Sequence, residues 1–209
     1  MIPTHLIAIK VDKPSILTGF QSVMTHATSV DPEMYHCHAN LALAHVPVMV
    51  LHVPTEEDEE DVRTIFQSVL GNAQDAAVRF IWSQRMTLSF YGVGRRIVKM
   101  GDEIAYAFAY PRIGGAVFRE LLFYLRSCLR RVPGVEVKAK GEFECTLLNT
   151  EFSPRPNFWT TRLFNPEVIN PFRLHGFGEQ TVEKFQLLDI RDNSPYGSYL
   201  DLEKEISVI

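Results

Sequence analysis

The sequence predicts an α+β fold of two mostly antiparallel sheets with flanking helices. Three observations lead there. Strand-like runs come in groups between helical stretches instead of alternating one for one, which favours antiparallel pairing. Three stretches carry a one-sided apolar stripe at helical spacing. The 209 residues are 46% hydrophobic and 22% charged, the composition of an ordinary soluble globular chain.

Leu6 to Val11 reads as a strand, rich in β-branched and apolar residues. Asp12-Lys13-Pro14-Ser15 opens a helix with proline in its first turn, and Ile16, Phe20 and Met24 fall on one stripe. Asp31-Pro32 reads as a loop. Leu41 to Val53 is apolar without strict alternation, which suits a strand buried on both faces. Thr55-Glu56-Glu57-Asp58 resembles a capping box, with Val62, Ile65, Phe66, Val69 and Leu70 behind it and Gly71-Asn72 as the stop. The acidic run Glu56 to Asp61 suits the positive end of that helix.

A β-rich stretch follows: Val78 to Trp82, Met86 to Tyr91, Ile97 to Met100 and Ile104 to Tyr110. Gly92 and Gly94, then Gly101-Asp102, punctuate it as bends. Gly114-Gly115 precedes a helix with the stripe Phe118, Leu121, Leu122, Leu125, Cys128 and Leu129, ended by Pro133-Gly134. Val135 to Val137 and Phe143 to Phe152 are strands. Ser153 opens an irregular stretch to about Phe172, with a short helix near Pro166 to Asn170. Glu183 to Arg191 and Tyr199 to Val208 are the last strands, with a turn at Asn193 to Gly197.

Bulk properties narrow the function. A net charge of -4 gives no global attraction for nucleic acid, so any RNA contact needs a local patch. Arg85, Arg95, Arg96 and Lys99 form one such cluster, and Arg126, Arg130 and Arg131 another; both read first as solvated surface charge. Three cysteines, Cys37, Cys128 and Cys145, make no disulfide framework and fit a reducing, intracellular compartment, cytoplasmic or nuclear. His36-Cys37-His38 has no second ligand cluster to answer it, so no metal and no other cofactor is expected. The N-terminus carries no signal-peptide pattern, and Leu41 to Val53 is too short and too interrupted to span a bilayer, so no membrane is expected.

Two tetrapeptides carry the chemistry. A strand puts residues i and i+2 on one face, so His-x-Thr aims an imidazole and a hydroxyl at one point. His45-Val46-Pro47-Val48 keeps the histidine and has proline in the hydroxyl's place. Glu144-Cys145-Thr146-Leu147 keeps the threonine and has glutamate in the imidazole's place. Cys145 alternates to the opposite face and reads as core.

This pairing resembles the two-histidine (2H) phosphoesterase superfamily, closest to the group that includes the central domain of an A-kinase anchoring protein, an activating signal cointegrator subunit and a leukocyte receptor cluster protein. Pro3 to Ile9 looks like that family's first strand, Thr18-Gly19-Phe20 like part of its first helix, and His175-Gly176-Phe177-Gly178-Glu179 like a late turn. The resemblance implies one domain over 1–209, built as two interleaved lobes with a groove between them. It implies metal-free hydrolysis or cyclisation at 2',3'-cyclic or 2'-5' phosphodiesters, with one imidazole as base, the other as acid, and hydroxyls on the non-bridging oxygens. The corresponding catalytic candidates are His45, Glu144 and Thr146; Arg173, His175, Tyr91 and Tyr196 are further groove candidates for ligand binding.

Three readings follow. The first is a catalytically impaired 2H-like domain that binds a nucleotide or RNA end. The second is a working phosphodiesterase that uses His45 with Glu144. The third is a scaffold with a protein partner and an unused groove. An open polar groove at His45 and Thr146 disfavours the third, and the surroundings of Glu144 separate the first two.

Overall fold

The computed structural model describes residues 2–71, 79, 83, 86–98, 102–152, 163–191 and 200–207, the last stretch by its backbone alone. The strands are β1 (His5–Lys10), β2 (His45–His52), β3 (Thr87–Ile97), β4 (Glu103–Ile113), β5 (Glu136–Ala139), β6 (Phe143–Asn149), β7 (Gly176–Thr181), β8 (Lys184–Asp189) and β9 (Leu200–Ser207). The helices are α1 (Pro14–Val30), α2 (Glu56–Leu70), α3 (Gly115–Leu129) and the single turn α4 (Pro166–Ile169). Five strands form one sheet in the order β5-β2-β1-β8-β9, and four form the other in the order β6-β4-β3-β7. Each recorded pairing is antiparallel.

The helices cover the sheets through the predicted stripes. On α1 the buried residues are Ile16, Phe20, Val23, Met24 and Ala27. Phe20 meets Phe90 of β3 and Phe177 of β7 edge-on, at 5.7 Å and 5.2 Å between ring centres. Gly19 gives the room, because a Cβ there would lie 2.9 Å from the Phe177 ring. On α3, Phe118 stacks on Phe185 of β8 at 5.9 Å. α2 begins as its capping box requires: the Thr55 hydroxyl oxygen accepts from the Asp58 N–H. One contiguous core joins both sheets, with Ile7, Ile9, Met49 and Leu51 from one and Phe90, Ala107, Cys145 and Leu147 from the other.

Alternation then divides the four-stranded sheet. Ala105, Ala107 and Ala109 of β4 face the core, and Ile104, Tyr106, Phe108 and Tyr110 face the other way. The β4–β6 register sets Thr146 beside Tyr106 and Glu144 beside Phe108 on that outer face.

Several predicted boundaries change. Arg79 and Ser83 are helical, so the strand expected over Val78 to Trp82 fails at Arg79; its other residues lie outside the described set. Met86 to Tyr91 and Ile97 to Met100 were expected as separate strands. Instead β3 runs unbroken to Ile97 and absorbs the glycines as a bulge, with Gly92 at φ 74°. Pro32–Cys37 and Leu41–Leu43 are short 3-10 turns in place of a loop and the start of a strand; the side chains of Asp31 and Asn40 cap them. The His175 to Glu179 segment is mostly strand, because β7 starts at Gly176 and pairs with β3. β6 ends at Asn149, where Thr150 turns inward to accept from the Glu103 N–H and donate to Asp102. The turn expected at Asn193 to Gly197 lies outside the described residues.

Candidate active site

His45 and Thr146 line one cavity of about 590 Å³. It opens where β2 of one sheet meets β6 of the other, with Pro47, Ile104, Asn149 and Phe152 around it. β2 is an inner strand, whereas β6 is the edge of its sheet. That edge is covered by chain: Ala39 N–H donates to the Leu147 carbonyl at 2.9 Å, and His38 bridges to Leu148. The covering segment contributes Tyr35, His36, His38 and Asn40 to the cavity wall.

Local irregularity aims the first half-site. The β1–β2 register slips between Ile7, opposite Met49, and Ala8, opposite Pro47, which leaves Val48 as the extra residue of a bulge. β5 pairs with β2 only as far as Met49, so Pro47, which has no N–H, sits beyond the end of that ladder. His45 is half-buried, and its Nδ1 lies 2.8 Å from the Leu43 carbonyl. A carbonyl only accepts, so Nδ1 carries the proton in the neutral ring, and Nε2 is the nitrogen that takes up or gives back a proton. Burial lowers the His45 pKa from its ordinary 6.5, with the Leu43 carbonyl pulling the other way.

The second half-site is differently occupied. Both carboxylate oxygens of Glu144 accept from the Arg96 guanidinium. The same guanidinium lies 5.1 Å from the centre of the Tyr106 ring, in cation–π contact. Arg96, read from sequence as surface charge, is thus a fixture of the half-site. Lys140 stands between the halves: its backbone N–H donates to the Val48 carbonyl at 3.0 Å. Burial lowers its amine's pKa, and the positive charge of Arg96 adds to that while Glu144 opposes it. Thr146 is exposed and reaches the cavity. Cys145 is fully buried on the opposite face, and burial pushes its thiol up to about 12, so it is no nucleophile at neutral pH.

Other expected groove residues are elsewhere. Arg173, His175 and Tyr91 cluster at the far edge of the four-stranded sheet, where Tyr91 pairs with Gly176 and the Gly92 N–H donates to the His175 carbonyl at 2.7 Å. The structure does not bring them to the cavity. Tyr196 lies outside the described residues.

Sequence reasoning missed Tyr35, His36, His38, Asn40 and Asn149 as cavity residues. The available signal was His36-Cys37-His38, which reads from sequence as local polar structure with no metal to answer it, and His38 as a structural or surface residue outside the motif register. His38 is tied to α1, since its Nε2 lies 3.0 Å from the Thr28 hydroxyl, which itself donates to the Met24 carbonyl. Asn40 and Asn149 each use the side-chain oxygen to accept a backbone N–H, from Ala42 and Glu151, which turns their NH2 donors to other partners.

A second polar cluster lies on the other flank. His5, Glu59 and Asp189 bring potential ligand atoms within 4.8 Å of one another. Arg191 already spans Glu59 and Asp189, and Arg63 takes the other Glu59 oxygen. A divalent cation would have to displace two guanidinium groups, so these residues do not fit a metal.

The fold recurs in solved structures. A phosphoesterase crystal structure matches at 16% identity over 99% of this chain and 98% of that one, with a TM-score of 0.55. E. coli LigT complexed with 3'-AMP gives the same identity, coverages and TM-score. TT0787 of Thermus thermophilus matches at 16% identity over 98% and 97% of the two chains, with a TM-score of 0.54. No curated protein matches the sequence. The model of the AKAP7 2'5' RNA ligase-like domain matches residues 3–208. With the LigT-like fold and the two motif strands meeting at one cavity, the chain belongs to the AKAP7 2'5' RNA ligase-like family of 2H phosphoesterase-like proteins.

Proposed function

We propose that this protein binds a nucleotide or the end of an RNA chain in the cavity between β2 and β6, and that its phosphodiesterase chemistry is strongly reduced. The observation that carries the reading is the Arg96–Glu144 pair. The residue in the second histidine's place has both oxygens engaged by a guanidinium and does not line the cavity. It therefore has no oxygen poised to shuttle a proton at a bound phosphodiester. Loss of one general acid–base group alone costs ~100- to 10,000-fold in rate. Pro47 removes a hydroxyl donor as well.

What persists suits an anion. Thr146 and the amides of Asn40 and Asn149 donate hydrogen bonds at neutral pH, and His45 joins them when protonated. Arg96 offsets the carboxylate of Glu144, so the repulsion expected of an isolated glutamate is screened at its source. The cavity sets polar groups of His45, Thr146, Asn40 and Asn149 among apolar neighbours such as Leu43, Ile104 and Phe152, and those polar groups weigh against a scaffold with an unused groove. LigT, solved with ATP and with 3'-AMP, makes nucleotides the first ligands to try. Cys37, Cys128 and Cys145 are free thiols, which favours an intracellular setting. Among the described residues, no helix is long and apolar enough to cross a membrane.

The test pairs calorimetry with adenosine phosphates and a hydrolysis assay on a 2',3'-cyclic nucleotide. Expected are measurable binding, lost in a His45→Ala, Thr146→Ala double variant, and at most trace hydrolysis. Robust turnover abolished by Glu144→Gln would replace this reading with the altered-pair enzyme. Equal affinity in wild type and double variant would remove the cavity from the account.

A further inference from the structure

We propose that His38 is a second proton carrier in the cavity and works with His45 in the slow hydrolysis that this protein retains. The inference rests on the nucleotide reading of the cavity and deepens it. It assigns the remaining chemistry to an imidazole that lies outside both motif tetrapeptides.

Position supports this first. His45 reaches the cavity from β2, in the five-stranded sheet. His38 reaches it from the segment laid along the edge of β6, in the four-stranded sheet. It bridges to Leu148 there, and the next N–H, of Ala39, donates to the Leu147 carbonyl at 2.9 Å. The two imidazoles therefore enter from different sheets, with Thr146 and Asn149 of β6 lining the same space.

Orientation supports it independently. A proton carrier needs a ring held by one nitrogen so that the other is turned to the task. At His45 the Leu43 carbonyl holds the ring. At His38 the holder is Thr28 of α1. The Thr28 hydroxyl donates its single proton to the Met24 carbonyl at 3.2 Å, so towards His38 its oxygen can only accept. Nε2, 3.0 Å from that oxygen, then carries the proton of the neutral ring. Nδ1 is left to take up or give back a proton. The Tyr35 ring packs against the imidazole at 5.5 Å between centres. A half-buried histidine tied to α1, to the 3-10 turn and to β6 is a fixed group in the cavity wall.

The step balances with these two rings. A water oxygen bonds to the phosphorus of a 2',3'-cyclic phosphate and passes its proton to the neutral imidazole. The bond from phosphorus to the leaving sugar oxygen breaks, and that oxygen takes the proton of the charged imidazole. One water is consumed, and exchange with solvent resets the rings. Burial lowers the pKa of His38, with the Met24 carbonyl pulling the other way, and burial lowers His45 as well. The singly protonated pair is therefore scarce at neutral pH, in keeping with slow turnover.

The experiment joins histidine side-chain NMR, during titration with 3'-AMP, to long incubations with adenosine 2',3'-cyclic phosphate. Expected are the Nε2–H tautomer at His38 and a 3'-AMP-induced rise in the pKa of both His38 and His45. His38→Gln should cut the remaining hydrolysis by about ten-fold or more. His26→Gln, on the same helix as Thr28 but directed to the Glu167 carbonyl, should leave the rate unchanged. Thr28→Val keeps the imidazole and releases its ring. It should mix the His38 tautomers and lower kcat more than it raises KM, and it supplies the answer if His38→Gln melts early. Equal rates in wild type, His38→Gln and Thr28→Val overturn the assignment, as does wild-type hydrolysis no faster than that of His45→Ala. A pKa rise confined to His45 overturns it too and leaves the cavity reading intact. Absence of 3'-AMP binding, with neither histidine shifted, removes the cavity reading and this inference with it.

Discussion

At the scale of single residues, the two half-sites differ in what holds their key side chains. His45 kept its nitrogen chemistry, with Nδ1 held by the Leu43 carbonyl and its pKa lowered by burial. A bound phosphate favours the imidazolium, so nucleotide affinity should rise as pH falls below 6.5, and calorimetry on a His45→Gln variant should show no such rise. Glu144 became an acceptor for Arg96, and that suggests a restoration. Glu144→His removes an anion and supplies an imidazole. The Glu144 side chain is 10% exposed but that of Arg96 is 42% exposed, so once the pair is gone the guanidinium can turn to water and the variant should fold. Pro47→Thr restores the hydroxyl. Both act on one transition state, so cyclic-phosphate hydrolysis by the double variant should exceed the product of the single gains. Folded, ligand-binding and inert variants would mean that the cavity diverged beyond these two positions. His45, Pro47, Glu144 and Thr146 were legible because they are close in sequence and spaced by two on strands. Arg96 and Lys140 were not, because only pairing across β4 and β2 brings them in.

At the scale of elements, irregularities do the aiming. The bulge at Val48 and the one near Gly92 each turn a strand at a place that regular alternation cannot mark. Gly92 is the sharper case. Its φ is 74°, and a Cβ would lie 2.7 Å from the Arg173 carbonyl oxygen. Both facts oppose any side chain, so Gly92→Ala should destabilise by about 1–3 kcal/mol, measured by urea unfolding. The loss should come with faster amide exchange along β3 and β7; unchanged stability would mean that the bulge relaxes freely. The three long helices were readable because each has an apolar stripe with a start or stop signal, as in Thr55 with Asp58. The 3-10 turns over Pro32–Cys37 escaped notice, since so short a segment carries no period. With them went half of the cavity wall, which depends on Ala39 and His38 reaching β6.

At the scale of the whole molecule, buried histidines couple folding to pH. His5, at 0% exposure, faces Glu59 and Asp189 among Arg63 and Arg191, a network joining β1, α2 and the end of β8. Burial lowers its pKa, with Asp189 and Glu59 pulling up and the two arginines pushing down. Burial lowers His38 and His45 too. The unfolded chain, with each histidine near 6.5, then binds more protons than the folded one just below that pH. The contribution of these three groups is therefore fully present above 6.5 and declines as pH falls from there towards the folded values, at up to about 1.4 kcal/mol per pH unit for each. Asp189 acts lower on the scale. Burial pushes its carboxyl up, but the hydrogen bonds and charge of Arg191, with His5, hold it below 3.8, so its contribution disappears only as pH falls through that lowered value. Urea unfolding should show undiminished stability at pH 7.5, a decline from pH 6.5 towards 5, and a second loss in acid. His5→Gln should flatten the first decline in part. On the proposed reading, ligand should work against this slope, because a phosphate in the cavity would stabilise the protonated His45 that folding disfavours. Saturating nucleotide should therefore raise the melting temperature more at pH 5.5 than at 7.5, and an equal increment at both would mean that His45 does not meet the phosphate.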